Sequence, residues 1–413
     1  MRIRRSWSSR AFIGVTAALL AGCGGTAAPA APKSSPPPAK ATASQSPLVI
    51  PAILSLSGQG AFLGNEEKEA LTVLQTLTNQ QGGVLGHPVQ FQILDDETSP
   101  KLAVQLAAGF HNVPAFLGPT LAGPCDAVAG ALKPATMVDY CLSPVINPAP
   151  GSYVFSAIDS STVEAGTALK YAMEQGWRRV AFLATDDATG KTLLSESEKV
   201  IKQPALQGLQ LVGAAEYPVT AINANSEVSS IAAGHPQAVF VWTTGASLGA
   251  ALKSINQSPL RSLPVFATGG NMTYAEMKAF AQFLPPHLYF ATAGWNALPV
   301  LSAGPQKEAV SAFDQAFQTE VGHLPDLGNA LAWDPAELLL TAYRQLGLNA
   351  TASAIHQFLE RQNNYIGIMG RYDFTSGNQR GLTPQDEYVY EWSPSHHTWD
   401  VVSGPGGSLR SPT

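Results

Sequence analysis

The sequence has little charge, few cysteines and no long apolar run beyond its N-terminus. Only 13% of the 413 residues are charged, with 24 Lys and Arg against 30 Asp and Glu. Removing the four arginines of the first ten residues leaves 20 basic and 30 acidic residues. No basic cluster remains, which argues against nucleic acid as a partner and against flat binding to anionic lipid. No later stretch of 18 apolar residues exists, so none is expected to span a membrane.

The N-terminus carries a basic leader and a short apolar run. Arginines occupy positions 2, 4, 5 and 10, and the run covers 11–21, about half the length that a bilayer-spanning helix needs. This pattern predicts a signal peptide over 1–22. The segment Leu20-Ala21-Gly22-Cys23 resembles the bacterial lipobox, which implies that the Cys23 thiol is lipidated and becomes the new N-terminus. An ordinary signal peptide that contains a cysteine, or a retained membrane anchor, are the alternatives.

A stretch without large apolar side chains follows the leader. Residues 24–47 are mostly Ala, Pro, Ser, Thr and Lys, so we expect 23–47 to be a lipidated cysteine followed by a disordered linker. About 390 residues follow Cys23, which favours two lobes over a single core. Residues 404–413 are expected to be a disordered tail.

Two cysteines remain once Cys23 is set aside. Cys125 and Cys141 would lie in an oxidising compartment, where a disulfide is favoured, with two buried free thiols as the alternative. No histidine lies near either cysteine, so we predict no metal site there and no cofactor. The neighbouring His396 and His397 lack further ligands and are interpreted as surface residues. The acidic turn 95–97 lacks the spacing of a calcium loop and is interpreted as a solvated or hinge-side turn.

Strand-like and helix-like segments alternate from residue 48 onward. The pattern begins with an apolar strand at 48–56 and a helix at 62–80, and it restarts with a helix at 160–175 and a strand at 179–187. Alternating units of this kind predict parallel sheets with helices on both faces. The fold class is therefore α/β, with two doubly wound parallel-sheet lobes. Ligands of such folds bind beyond the carboxyl ends of the strands. This rule directs attention to six loops, at 57–60, 118–124, 143–147, 186–190, 243–247 and 269–271.

One short motif is typical of serine hydrolases. Residues 245–249 match G-x-S-x-G, with Ser247 as nucleophile and Asp334 and His356 as nominal partners. No segment resembling an oxyanion-hole motif precedes it, and both partners fall within predicted helices. We therefore expect no enzymatic activity and interpret the motif as a glycine-rich turn, with the hydrolase kept as an alternative.

Residues 48–402 resemble the leucine/isoleucine/valine-binding protein family, the type I periplasmic solute-binding proteins of ABC importers. The resemblance rests on the order of several short motifs: Ser57-Gly58 with Gly64, Gly82 to Gly86, Asp95-Asp96, Leu117-Gly118-Pro119, Ser143-Pro144, and Tyr372-Asp373-Phe374 with Gly377. It implies two lobes joined by three crossovers, near 157–160, 291–294 and 371–374. The first lobe would comprise 48–158 plus 293–372, and the second 159–292 plus 373–403.

The resemblance also implies a set of ligand-binding positions between the lobes. A hydroxyl and backbone N–H groups after the third strand would hold a carboxylate, and further contacts would come from both lobes. The corresponding residues here are Phe62, Leu63, Thr120, Leu121, Ala122, Gly123, Val145, Ile146, Asn147, Thr189, Thr244, Gly245, Gly270 and Asn271. Phe62, Trp242 and Trp295 are candidate apolar walls, with ordinary core packing as the alternative.

One family feature has no counterpart in the sequence. An acid that would hold an α-ammonium is expected near Gly270 and is absent, although Asp186 or Asp187 could compensate. A carboxylate, an amide or another small polar solute is therefore as suitable as an aliphatic amino acid. The expected protein is a lipid-anchored, extracytoplasmic monomer that delivers a small solute to an ABC transporter permease and contacts the membrane through its lipid alone. A ligand sensor for a signalling partner is the alternative.

Overall fold

The computed structural model describes residues 45–133 and 135–410. The predicted signal peptide, Cys23 and residues 24–44 of the linker lie outside the described residues. Within the described ranges, no helix has both the length and the apolar composition that crossing a membrane requires.

The first sheet is wholly parallel. Its strands are β1 (Leu48–Leu54), β2 (Val89–Asp95), β3 (Ala115–Leu117), β4 (Val138–Cys141) and β5 (Val154–Ser156), in the order β2-β1-β3-β4-β5. The helices between them are α1 (Ala61–Gln80), α2 (Pro100–Ala108) and α3 (Ala122–Ala131). The short strand β5 was not predicted, because only three residues of it pair with β4.

The second sheet begins after a short crossing segment. It is built from α4 (Ser161–Glu174), β6 (Arg179–Thr185), α5 (Ala188–Val200), β7 (Gln210–Tyr217), α6 (Asn225–Ala232), β8 (Ala238–Trp242), α7 (Ser247–Asn256), β9 (Val265–Thr268), α8 (Tyr274–Ala279) and β10 (Leu288–Ala293). These five strands are parallel to one another. Side-chain oxygens cap the first turns of α4, α5 and α8, which fixes where these helices begin.

The chain then returns to the first sheet and crosses back once more. Helices α9 (Pro305–Glu320), α10 (Leu327–Leu346) and α11 (Ala352–Glu360) precede the small hairpin of β11 (Tyr365–Ile366) and β12 (Arg371–Tyr372). Helix α10 packs along α1, and α11 packs on β4. Strands β13 (Glu387–Ser393) and β14 (Thr398–Val401) then extend the second sheet beside β10, both antiparallel to their neighbours. The predicted α/β fold with two parallel-sheet lobes is confirmed, apart from this antiparallel edge.

The last crossing lies later than the sequence indicated. Phe374 packs against Phe155 of the first sheet, with ring centroids 5.7 Å apart, and Gln379 accepts a hydrogen bond from the Ser156 amide through its carbonyl. Residues 373–382 therefore belong with the first lobe, and not with the second lobe, to which the range 373–403 had been assigned. The Tyr372-Asp373-Phe374 motif marks the return of the chain to β5, about a dozen residues before β13 begins.

The predicted disordered tail was wrong over residues 404–410. Gly406 and Gly407 are buried in a turn, and the Leu409 amide donates to the Glu174 carboxylate over 2.7 Å. The Arg410 guanidinium donates to the Val401 carbonyl oxygen. Glycine and proline in this stretch therefore form a packed turn against α4.

The two remaining cysteines are bonded to each other in the structure. Cys125 lies in α3 and Cys141 at the end of β4, with Cα atoms 6.0 Å apart and a sequence separation of 16. Both side chains are buried. On the chain-entropy model, a cross-link over a loop of this length stabilises the fold by about 3 kcal/mol. The bond ties the first turn of α3 to the end of β4.

Candidate functional site

Two loops from different sheets meet at the carboxyl ends of their strands. Gly245 follows β8 with φ of +86°, and a side chain on it would overlap the carbonyl oxygen of Gln59 in the loop between β1 and α1. The Gln59 side-chain amide also donates to the Val219 carbonyl oxygen, which follows β7, over 3.2 Å. The two lobes are therefore in direct contact across their loops.

Several of the predicted ligand-binding residues lie at this contact. Leu63 is buried and lies beside Gly270, and Gly270 also contacts the Thr244 side chain. Phe62 meets Phe280 of the opposite lobe edge to face, with ring centroids 6.0 Å apart. The structure thus brings Phe62, Leu63, Thr244 and Gly270 together on the closed faces of the two lobes.

The Thr120 hydroxyl is already used inside the first lobe. It donates to the buried Glu67 carboxylate and accepts from the Ser55 amide over 3.0 Å. Ser55 also donates through its hydroxyl to Asp96, which is fully buried. Part of the acidic turn is therefore structural, and its interpretation as simply solvated was wrong for Asp96. This geometry does not support the expectation that Thr120 offers its hydroxyl to a carboxylate.

The other predicted contacts from the first lobe are mostly apolar and buried. Leu121, Ala122, Val145 and Ile146 are all less than one-tenth exposed. Ala122, Val145 and Ile146 share one apolar cluster with residues of the second lobe. Gly123 is partly exposed and Asn147 is exposed. This part of the interface therefore offers apolar surface where the resemblance implies polar contacts.

Predicted polar residues of the second lobe hold its loops. Asn271 is fully buried, accepts from the Gly245 amide and donates to the carbonyl oxygens of Thr243 and Thr268. Thr189 is buried in the first turn of α5. The two nearby acids serve the same purpose: Asp187 caps α5, and Asp186 accepts from the Val219 amide. These hydrogen bonds leave Asn271, Asp186 and Asp187 engaged with the protein itself.

The two candidate tryptophan walls belong to the core. Trp242 is fully buried at the end of β8 and packs on Phe240 at 5.6 Å. Trp295 is buried against Tyr390 and Trp399. The core alternative therefore describes both residues better than a ligand wall does.

The hydrolase hypothesis was wrong. Ser247 is buried, and its hydroxyl contacts the Thr243 hydroxyl and the Thr244 carbonyl oxygen. Asp334 accepts hydrogen bonds from two backbone amides and from Tyr372, while His356 stacks on Tyr153 at 4.1 Å. The G-x-S-x-G segment forms the turn in which Gly245 contacts Gln59.

A small cavity lies where the crossing segments meet both lobes. Its volume is about 10 Å³, which suffices for at most one water molecule. Three acidic side chains line it, together with apolar side chains of α10: Asp159, Glu164, Glu387, Leu327 and Leu331. Gly269 and Gly270 form part of the same wall, and the Gly269 amide donates to Glu164 over 2.8 Å.

The three acids are buried and have few hydrogen-bond partners. Each is at most 4% exposed. One carboxylate oxygen of Asp159 and one of Glu387 have no hydrogen-bond partner among the described residues. Burial raises the pKa of Glu164 to about 7, and burial with the nearby charge of Asp386 raises the pKa of Asp159 to about 7. Burial, together with the charges of Asp159 and Glu164, raises the pKa of Glu387 well above its usual range.

One guanidinium lies among these groups without pairing directly with the acids. Arg380 donates to the carbonyl oxygens of Pro144, Ile146, Ile158 and Asp159 and to the Ser156 hydroxyl. Within the described residues, none of the ion pairs includes Arg380, Asp159, Glu164 or Glu387. Burial lowers the pKa of Arg380 to about 10, so it stays charged at neutral pH. Its hydrogen bonds join the first crossing segment to the loop after β4.

No pattern in the sequence predicted this charged cluster. Glu164 lies 105 residues before Gly269, in the first turns of α4, where an acid is common for helix stability alone. The acid that appeared to be missing near Gly270 is nevertheless present in space, because α4 places Glu164 there.

Two α/β lobes that meet across the loops of their parallel sheets define a two-lobed ligand-binding protein. A model of the periplasmic binding protein family matches residues 47–397. The chain belongs to this family, whose members bind solutes and are not enzymes.

Solved structures of the same fold are similar over nearly their whole length. An extracellular ligand-binding receptor from Rhodopseudomonas palustris HaA2 is 16% identical, with a TM-score of 0.74 over 86% of this chain and 99% of that one. The Streptococcus pneumoniae LivJ protein, bound to isoleucine, is 16% identical, with a TM-score of 0.71 over 86% and 99%. A solute-binding protein from R. palustris, bound to benzoate, is 16% identical, with a TM-score of 0.71 over 89% and 98%. Among curated protein sequences, none matches significantly.

Proposed function

We propose that this protein is the extracytoplasmic solute receptor of an ABC transporter, held at the membrane by a lipid on Cys23. The observation that carries the proposal is the contact between Gly245 and Gln59, which closes the lobes over a buried, charged junction. Ligands of α/β sheets bind at this edge. Closure on a solute would create the shape that a permease recognises.

The described structure favours a small solute with limited polar groups. Ala122, Val145 and Ile146 of the first lobe share an apolar cluster with the second lobe, and the three acids line the cavity at the junction. Proteins of the same fold bind isoleucine and benzoate, which sets the size of molecule we propose. The solute enters when the lobes separate, because the closed junction has room for at most one water molecule.

Native mass spectrometry of gently purified protein, followed by a thermal-shift panel, tests solute binding. The panel contains amino acids, organic acids, amides, amines and sugars. A true ligand at 100 times its Kd should add about 2.7 kcal/mol to the free energy of unfolding, because it binds the folded state alone. Absence of a bound solute in the mass spectrum, together with no shift from any compound, would contradict the proposal.

Substitution of the lipidated cysteine separates the anchor from binding. Cys23→Ala should release the protein from membranes in its own host, because without the Cys23 thiol no lipid can be attached. Ligand affinity should not change, since Cys23 precedes the folded lobes by a 24-residue segment. Membrane fractionation with the wild-type chain as control gives the readout. Retention of the Cys23→Ala protein on membranes would refute lipid anchoring.

A further inference from the structure

Three buried acids meet at the lobe junction, where Arg380 is the cation that interacts with two of them. Asp159 precedes α4, Glu164 lies within α4, and Glu387 begins β13, so three separate parts of the chain converge on one cavity. Arg380 is the nearby cation, and its donors go to carbonyl oxygens and a hydroxyl. Buried carboxylates without partners are unstable as ions unless a cation joins them.

Two of the acids that line the cavity have an unsatisfied carboxylate oxygen. Asp159 is 3% exposed and Glu387 is 2% exposed, and each has one carboxylate oxygen without a hydrogen-bond partner among the described residues. Both line the cavity. With a volume of about 10 Å³, it has room for at most one group of the size of a water molecule or an ammonium group.

Most of the remaining lining is apolar, which favours an apolar body next to that group. Leu327 and Leu331 of α10 lie there with Pro144, Ile158 and Ala291, and Thr292 and two glycines also line the cavity. No group of three or more His, Cys, Asp or Glu side chains in the described ranges is arranged to hold a metal ion. An organic cation with an apolar body suits this chemistry better than a bare metal ion.

We propose that the solute carries a protonated amine, which Asp159, Glu164 and Glu387 hold at the lobe junction, and that it needs no carboxylate. The proposal rests on the function proposed above and adds the chemical class of the ligand. The site offers less to a carboxylate, because the Thr120 hydroxyl, one of the groups expected to bind one, is used by Glu67 and Ser55. The ammonium would donate to the carboxylate oxygens that now lack partners.

Matched amines and carboxylates test the proposal. The probes are isopentylamine, phenethylamine, putrescine and agmatine, with isovalerate and 3-phenylpropionate as the carboxylates of the same shape as the first two. Thermal shift and calorimetry should detect binding of at least one amine and of neither matched acid. Glu164→Gln should weaken amine binding about tenfold or more, because a charge-assisted hydrogen bond becomes a neutral one.

Glu276→Gln is the matched control. Glu276 is buried to the same degree, its pKa is raised by the same cause, and it lies in α8 outside the cavity lining. This variant should bind the amine as the wild-type protein does. If Glu164→Gln fails to fold, Glu387→Gln should give the same loss of affinity.

The pH dependence distinguishes direct contact from structural support. Asp159, Glu164 and Glu387 face the cavity, and Asp386 and Arg380 are the charged groups that influence them. Burial raises the pKa values of all three carboxyls, those of Asp159 and Glu164 to about 7. An amine must therefore displace more protons from them at pH 6 than at pH 8. Affinity should rise about tenfold or more over that range, and calorimetry in buffers of different ionisation enthalpy should show proton release.

The outcomes are separable from those of the proposed function. If no amine binds but a carboxylate, amide or sugar does, the inference is overturned while solute binding stands. Equal binding of an amine to the wild-type and Glu164→Gln proteins would also overturn it. If no compound of any class binds, the proposed function itself fails.

Discussion

Gly245→Ala should weaken binding of the best ligand about 10- to 100-fold while leaving the two lobes folded. A methyl group on Gly245 would overlap the Gln59 carbonyl oxygen across the lobe interface. Overpacking of this kind costs about 1–3 kcal/mol, and here it destabilises the closed state alone. Because a ligand that binds between the lobes needs closure, the loss of the closed state appears directly as lost affinity.

Gly176→Ala is a closely matched control for that experiment. Gly176 has the same φ of +86°, and nothing lies within 4 Å of the position its methyl group would occupy. Both substitutions therefore strain the backbone by about 1 kcal/mol, and only one blocks the lobe contact. Isothermal calorimetry on the two variants isolates the effect of closure. Equal affinities for the two variants would show that the Gly245 contact plays no part in binding.

Arg380→Ala should lower the free energy of unfolding by about 3–5 kcal/mol at pH 7. The substitution removes the donors that four carbonyl oxygens and the Ser156 hydroxyl share, and it removes the positive charge that interacts with Asp159 and Glu387. Arg380 is only 7% exposed, so water would not replace these donors readily. Urea denaturation monitored by circular dichroism gives the readout.

Arg371→Ala is the control for the loss of an arginine. The Arg371 side chain is exposed, so its removal should change stability by no more than about 0.5 kcal/mol. If the free energies of unfolding of Arg380→Ala and the wild-type protein differ by less than about 1 kcal/mol, the stability of the crossing segment does not depend on the guanidinium.

The fold was largely readable from the sequence because its signals are local. Strand β1 is a continuous apolar run, and α1 carries its leucines on one face, so periodicity alone separates them. Strand β5 was missed because three residues carry no such periodicity. The last crossing was misplaced because the contact of Phe374 with Phe155 joins residues more than 200 positions apart.

The site was less predictable, since its chemistry depends on distant contacts. The loops that meet at Gly245 and Gln59 were predicted correctly, because ligands of parallel sheets bind beyond the carboxyl ends of the strands. No rule of spacing connects Glu164 with Gly269, or Arg380 with Ile158. The hydrogen bond from Thr120 to Glu67 likewise joins residues that are far apart in the sequence, and it changes the expected ligand chemistry.

The central claim is that the lobes close on a small solute. Small-angle X-ray scattering of the mature folded region, without solute and then saturated with the compound that gives the largest melting shift, tests it directly. We expect the radius of gyration to decrease on saturation in the wild-type protein and in Gly176→Ala, and to change little in Gly245→Ala. An unchanged radius of gyration in the wild-type protein, with the compound demonstrably bound, would contradict closure as the way this protein holds its ligand.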